Sequence, residues 1–417
     1  MQITIHRGTQ EIGGTVIEVT TANTSILLDL GLPLNPTSSN LDITKLTPDA
    51  VLVSHPHQDH YGLIDQLDSQ IPVYIGEVGK ELICATRTFL GKDLPNNNFH
   101  YFQKWKPFSI GDFTITPYLM DHSAVDAYAF LIEAQGKRIF YSGDFRASGN
   151  KAFLFDKLVA DAPKNIDLLL MEGTMMRRDS NEFPDEASVR NKMEEILKEQ
   201  QNMSFLISSS QNIDRLVSAA HACKNTDKIF VIDIYTAWVL EKIKVLSSKT
   251  PTMDWDHVRI YADNGPAKVV KENPDYFGTF QKRLYSHRIL KEELKAVPAK
   301  YLYLSKMSKA KIMNIYKDFG VINLIYSQWL GYLGYTNEEY YGAEDIAAYK
   351  TDPGVNFIYA HSSGHATLDV LKKMEQVLNP ANLIPVHTEF PNDYLKEFNN
   401  VKLLTDGEIF TFAEFKN

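Results

Sequence analysis

Only two cysteines, Cys84 and Cys223, occur in 417 residues, too few for a disulfide framework or a cysteine-based zinc cluster. Any metal bound here must therefore rest on histidine and carboxylate. Long apolar runs are missing too: none approaches the roughly 20 residues that a bilayer-spanning helix needs. The start, "MQITIHRGTQEIGG", lacks the apolar centre of a secretory signal and reads as strand and turn, so a cytoplasmic location with no membrane contact is expected. Nor is there an excess of positive charge. The 43 Lys and Arg against 52 Asp and Glu give a net charge of -9, which offers no global attraction for a polyphosphate chain. That counts against a nonspecific nucleic-acid binder, although a local basic groove or bound cations can still hold a polyanion. Internal repeats and low-complexity linkers are also lacking. What is present is a globular composition, 44% hydrophobic and 23% charged, in a chain longer than the roughly 250–300 residues at which single cores stop growing. Two domains are expected.

Residues 1 to about 50 alternate apolar and polar positions ("TVIEV", "SILLDLG") between glycine turns and predict a β-meander. Mixed strands and helices follow. After about residue 180, "DEASVRNKMEEILKEQ" has helical periodicity, and "SFLISSS" and "KIFVIDI" read as buried strands flanking a helix at "IDRLVSAAHAC". This βαβ arrangement predicts a parallel sheet. Strand, loop and helix return from "VNFIYAHSSGHATLDVLKKMEQVL" onward, so the middle reads as a folded insertion, with the first domain completed by the C-terminal residues.

The stretch "SHPHQDHYG" follows the apolar run "DAVLV" and precedes the helix-like "YGLIDQL". It puts His55, His57, Asp59 and His60 on a loop at a strand's carboxyl end, where α/β proteins place their sites. In an extended chain His55 and His57 point to one side and can grip one ion; Asp59 and His60 can serve a second. Packing has no need for such a cluster. The same grammar recurs: His122 in the polar break of "YLMDHSAVDAY", Asp144 in "YSGDFR", Glu172 closing "NIDLLLMEGT" and His387 closing "NLIPVHTEF". Imidazoles and carboxylates in this proportion suit two divalent ions, zinc first and manganese as the rival. A carboxylate such as Asp144 can bridge ions about 3.5–4 Å apart, and such a pair lowers the pKa of a shared water toward ~7.

In these motifs the chain resembles the metallo-β-lactamase fold. His55-x-His57-x-Asp59-His60, His122 and the "SGDFR" aspartate match that fold's successive ligand motifs, which implies an αββα sandwich with a dinuclear site at one edge of the sheets. Later residues are similar to the β-CASP branch, which includes ribonuclease J. Glu172 in "LLLMEGT" fits the branch's acidic strand end, His365 in "SSGHA" its catalytic histidine, and His387 in "PVHTE" its last metal ligand, with Thr388 in place of glycine. The resemblance implies an inserted β-CASP domain at 179–355, between metallo-β-lactamase parts at 1–178 and 356–417; "SSSQNIDR" and "YSQWLGY" in the insertion resemble ribonuclease J segments.

Carried over by residue, His55, His57 and His122 would hold one ion, Asp59, His60 and His387 the other, and Asp144 would bridge them. His365 would protonate the leaving oxygen or contact the scissile phosphate, and Glu172 would orient His365; Asp59 counts among the catalytic groups as well. Ser210, Asn212, Ser363 and Gly364, in two serine-rich loops, are candidate phosphate contacts. The lysines of "LSKMSKAKIMNIYK" are expected to form an ordinary solvated surface rather than a basic face.

The implied activity is hydrolysis of single-stranded RNA, internally or from the 5′ end, with a homodimer kept open. "EIGGTVIEV" departs from the Glu-Ile-Gly-Lys-Asn usual in ribonuclease J, and the chain stops soon after His387, so a compact relative is expected. Two other readings stay open: a hydrolase of a small ester, thioester or phosphodiester, and a non-catalytic RNA-binding protein.

Overall fold

The structure, a computed structural model, describes residues 1–34, 38, 41–178, 182–334 and 342–412. They form two compact units: Met1–Cys84, Leu94–Asp179 and Gly364–Asn417 make the first, Ala85–Asp93 and Ser180–Ser363 the second. No helix among the described residues is long and apolar enough to cross a membrane.

The first unit opens with β1 (Gln2–Arg7), β2 (Val16–Thr20), β3 (Ser25–Leu28), β4 (Ala50–Leu52), β5 (Pro72–Ile75) and β6 (Asn98–Tyr101). The first three are antiparallel neighbours, the meander that the alternation predicts, and β3 to β6 pair in parallel. A second sheet follows from β7 (Phe108–Ile110), β8 (Phe113–Met120), β9 (Ala127–Ala134), β10 (Lys137–Tyr141) and β11 (Leu168–Met171), antiparallel from β7 to β10 and parallel from β10 to β11.

The second unit contributes β12 (Ser204–Ile207), β13 (Ile229–Asp233), β14 (Val258–Tyr261), β15 (Arg288–Ile289), β16 (Tyr301–Ser305), β17 (Ile322–Tyr326) and β18 (Val355–Tyr359). They form one parallel sheet in the order β15-β14-β13-β16-β12-β17-β18. The βαβ reading thus places β12 and β13 in a parallel sheet, with the helix Ile213–Asn225 between them in sequence, but β16 lies between the two strands and pairs with both. The chain up to Ser363 counts with this unit, beyond the expected boundary at 355, because β18 pairs with β17 along its whole length. The last strands, β19 (Leu383–Pro385) and β20 (Ile409–Thr411), join β11 and β1 respectively. The C-terminal residues therefore extend both sheets of the first unit.

Period-two alternation sorts side chains into three apolar layers in that unit. Ile3, Ile5, Ile17 and Leu52 from the first sheet meet Phe130, Ile132, Ile139 and Leu170 from the second in the central layer. Val51, Val53 and Val73, on the other side of the first sheet, pack with Tyr61, Ile64 and Ile83. Phe140, Leu169 and Met171, on the far side of the second, pack with Phe155, Leu158, Leu371 and Met374 from helices. The result is the expected αββα sandwich. It positions the site because β4, β8, β10, β11 and β19 are each followed, at their carboxyl ends, by a polar residue the sequence singles out.

Candidate metal centre

His55 follows β4, His122 follows β8, Asp144 follows β10, Glu172 follows β11 and His387 follows β19. The turn after β10 requires a glycine: Gly143 has φ +53°, and a Cβ there would lie 2.6 Å from the Tyr128 carbonyl oxygen. His387 itself adopts φ +52°, a left-handed conformation costing a non-glycine residue of order 1–2 kcal/mol. Its amide donates to the Gly8 carbonyl at 2.7 Å. Thr388, where the resemblance has glycine, closes this turn with its hydroxyl, donating to Gly173 O at 2.9 Å and accepting from Phe390 N at 3.2 Å.

The first unit brings these side chains together. His55 Nε2 lies 3.0 Å from His57 Nδ1, which lies 3.4 Å from His122 Nε2. Asp144 Oδ2 is the centre of the remaining groups, at 3.1 Å from His60 Nε2, 3.6 Å from His387 Nε2, 3.7 Å from His365 Nδ1 and 3.8 Å from His55 Nε2. Asp59 Oδ2 stands 3.7 Å from His60 Nε2 and 3.9 Å from His387 Nε2. Ligand-type atoms thus converge in the sets His55-His57-His122, His55-His60-Asp144 and Asp59-His60-His387. A fourth set, Asp144-His365-His387, adds His365. The Nδ1 of His365 also lies 3.1 Å from Glu172 Oε2, and a ring nitrogen that donates its proton to a carboxylate has no lone pair for an ion.

Glu172 ties several segments at once. Its Oε1 accepts from Phe145 N at 3.1 Å and Ala366 N at 3.4 Å, and its Oε2 from Thr174 N at 3.2 Å. The buried Tyr394 hydroxyl donates to its carbonyl at 2.5 Å. One carboxylate therefore couples the backbone beside Asp144 to the loop carrying His365. That loop also reaches His122, whose Nδ1 lies 2.6 Å from Gly364 O. A carbonyl oxygen only accepts, so the contact puts the proton on Nδ1 and leaves Nε2 with its lone pair.

Asp29 went unread in the sequence. Fully buried after β3, it accepts from Ser54 N at 2.6 Å, Ser54 Oγ and His60 Nδ1 at 2.8 Å, and Tyr141 Oη at 2.7 Å. It fixes the ring of His60 so that Nε2 faces Asp144. The signal was available: "SILLDLG" is an apolar run, an acid and a glycine, much as in "RIFYSGD".

Burial pushes the imidazole pKa of His55, His122, His57 and His387 down, and neighbouring histidines add to the effect. At His60 burial acts downward as well, but Asp144, Asp29 and Asp59 outweigh it and hold the pKa well above its usual value. At His365 burial is likewise outweighed, by Glu172 and Asp144, and the pKa rises. Burial alone would raise the Asp144 carboxyl, yet His387, His60 and His365 hold it well below the usual carboxylate range. Among the described residues, His60 Nε2, His387 Nε2 and Asp144 Oδ1 are buried with no hydrogen-bond partner. His60 Nε2 still faces the Asp144 carboxylate at 3.1 Å, but burying His387 Nε2 and Asp144 Oδ1 without a hydrogen bond is costly unless they serve a bound group.

The candidate phosphate contacts are placed as follows. Gly364 lies in the first unit, its carbonyl at His122. Ser210, Asn212 and Ser363 belong to the second. There the Ser210 hydroxyl bonds Thr236 at 2.8 Å, and the Asn212 side chain caps the helix Ile213–Asn225 by accepting from Arg215 N at 3.1 Å. The lysine segment, mostly 3₁₀-helical over Met307–Phe319, is an ordinary charged surface: Lys306, Lys309, Lys311 and Lys317 each face an aspartate, respectively Asp233, Asp263, Asp345 and Asp352.

Residues 27–206 match the family model of the beta-lactamase superfamily domain. Over 94% of its length the chain is 25% identical to ribonuclease J of Helicobacter pylori, of which it covers 56%. It is 23% identical to ribonuclease J of Mycoplasma genitalium, covering 96% of this chain and 72% of that protein. The chain thus spans a little over half the length of the Helicobacter relative. A crystal structure of a protein of unknown function from Enterococcus faecalis superposes with a TM-score of 0.73 over 98% of this chain and 99% of that one, at 22% identity, a likeness of fold.

Proposed function

We propose that this chain, which has the metallo-β-lactamase fold and is ribonuclease J-like over nearly its whole length, is a metal-dependent hydrolase of phosphodiester bonds in RNA. The observation that carries the reading is the convergence of seven ligand-type side chains, His55, His57, Asp59, His60, His122, Asp144 and His387, with the buried His387 Nε2 and Asp144 Oδ1 making no hydrogen bond among the described residues. The donor set, imidazole nitrogens and carboxylate oxygens in convergent groups, fits a pair of divalent ions. His55, His57 and His122 would hold one, Asp59, His60 and His387 the other, and the Asp144 carboxylate would lie between. Such ions supply an acidified water as nucleophile and neutralise charge on a phosphodiester; nitrogen donors favour zinc, with manganese next.

The chain's own residues do the rest. Asp29 and the Gly364 carbonyl fix the tautomers of His60 and His122, so that ring lone pairs face inward. Glu172 holds His365 by Nδ1 and leaves its Nε2 to deliver a proton to the leaving oxygen, a role worth about 10²–10⁴ in rate. The Glu172 carboxylate at Nδ1 favours the protonated form that this step needs.

The test uses single-stranded RNA with 5′-monophosphate or 5′-triphosphate ends, incubated with the purified chain and zinc or manganese. Cleavage of either is expected, and the pair of substrates reports any 5′-end requirement. Turnover of a small phosphodiester or thioester with no cleavage of RNA would overturn the reading.

A further inference from the structure

We propose that Thr15 is a positioning residue for His387, and through it for the ion that Asp59, His60 and His387 would share; the inference rests on the two-ion reading above. With its backbone in the left-handed region, His387 aims Nε2 toward Asp144 and Asp59. Its other ring nitrogen, Nδ1, lies 2.9 Å from Thr15 Oγ1 and accepts from the Gly13 amide at 3.3 Å, the bonding of a ring whose proton sits on Nε2. The amide can only donate. A neutral ring that gives its Nε2 lone pair to a cation carries its proton on Nδ1 instead, gives up the amide's bond and needs an acceptor there. Of the two contacts, the hydroxyl alone can accept.

Thr15 is held as a positioning group should be. It is fully buried, and its carbonyl accepts from Gly31 N at 3.0 Å. The buried Arg7 donates from Nε to Gly14 O at 2.6 Å and from Nη2 to Gly31 O at 2.5 Å. Neither glycine tolerates a side chain. At Gly14, φ is +65° and a Cβ would lie 2.7 Å from Arg7 Nε; at Gly31 a Cβ would lie 1.7 Å from the Asp59 carbonyl oxygen. Gly31 thus anchors the backbone of Thr15 while packing against that of Asp59, so one scaffold sets two partners of the same ion. The departure of "EIGGT" from Glu-Ile-Gly-Lys-Asn falls on this device: the second glycine admits Arg7, and the threonine supplies the hydroxyl.

The experiment titrates zinc into the chelator-treated full chain and into Thr15→Val, Thr15→Ala and Thr15→Ser, reading ions per chain and affinities by calorimetry and metal-free thermal midpoints in parallel. Thr15→Val and Thr15→Ala are expected to keep one ion at unchanged affinity and to bind the second about 10–100-fold more weakly. Thr15→Ser is expected to restore it, with thermal midpoints not tracking the loss. Two ions bound equally well by the valine and alanine variants would overturn the role of Thr15, as would a serine variant as weak as alanine. Fewer than two ions in the unaltered chain would overturn the two-ion reading itself, a failure seen without any variant.

Discussion

The Arg215 guanidinium of the second unit and the Asp144 carboxylate of the first are both buried, and they are surrounded differently. Arg215 donates from Nε and Nη2 to both oxygens of Glu186 at 3.1 and 2.9 Å, from Nη1 to Ser327 O at 3.0 Å and from Nη2 to Ser362 O at 3.2 Å. Glu186 accepts a further bond from Ser218. One guanidinium therefore joins three of the segments singled out in the sequence, "SSSQNIDR", "YSQWLGY" and "HSSGH", and its charge is met on every side. Asp144 instead faces four imidazoles through one oxygen, while its other oxygen has no hydrogen-bond partner among the described residues. A buried charge with all its bonds made is a structural tie. One that gathers further donors yet leaves atoms open is part of a receptor.

The contrast can be broken at either end. The largest effect is expected for Asp144→Ala, which removes the carboxylate between both ligand sets: ion content should fall to one per chain or less, and RNA cleavage below detection, as read by elemental analysis and gel assay. His365→Ala should keep both ions and lose about 10²–10⁴ in rate; loss of ions equal to that in Asp144→Ala would show His365 to be a ligand. Glu186→Ala leaves Arg215 buried without its counter-charge, so denaturant unfolding should show a loss of about 3–5 kcal/mol with ion content of the folded protein unchanged. The smallest effect is expected for Thr388→Gly, which restores the residue of the family pattern and removes the hydroxyl's bonds to Gly173 and Phe390, at about 1 kcal/mol by the same measurement.

How much of this was readable depended on how locally each signal was written. His55, His57, Asp59 and His60 stand within six positions, so their chemistry was visible without a fold. Asp144, Glu172 and His387 could be read because a buried strand ends in one polar group at each. Asp29 obeys the same rule but resembles a strand terminator, and only its four bonds separate it from one. Thr15 was hidden by its glycine turn, since its partner His387 lies at the other end of the chain. Arg215 carried no signal of its own, because nothing near it in sequence announces Glu186. The position of β16 between β12 and β13 was unreadable for a related reason: local periodicity finds strands, whereas their order depends on pairings made across a hundred residues.

Elemental analysis of divalent ions per chain, on the unaltered protein, Asp144→Ala and Glu186→Ala purified side by side, tests most directly whether the open cluster is a receptor and the closed one a tie. Two ions in the unaltered chain and in folded Glu186→Ala, with one or none in Asp144→Ala, is the expected result; no ion in the unaltered chain, or two retained in Asp144→Ala, would contradict it.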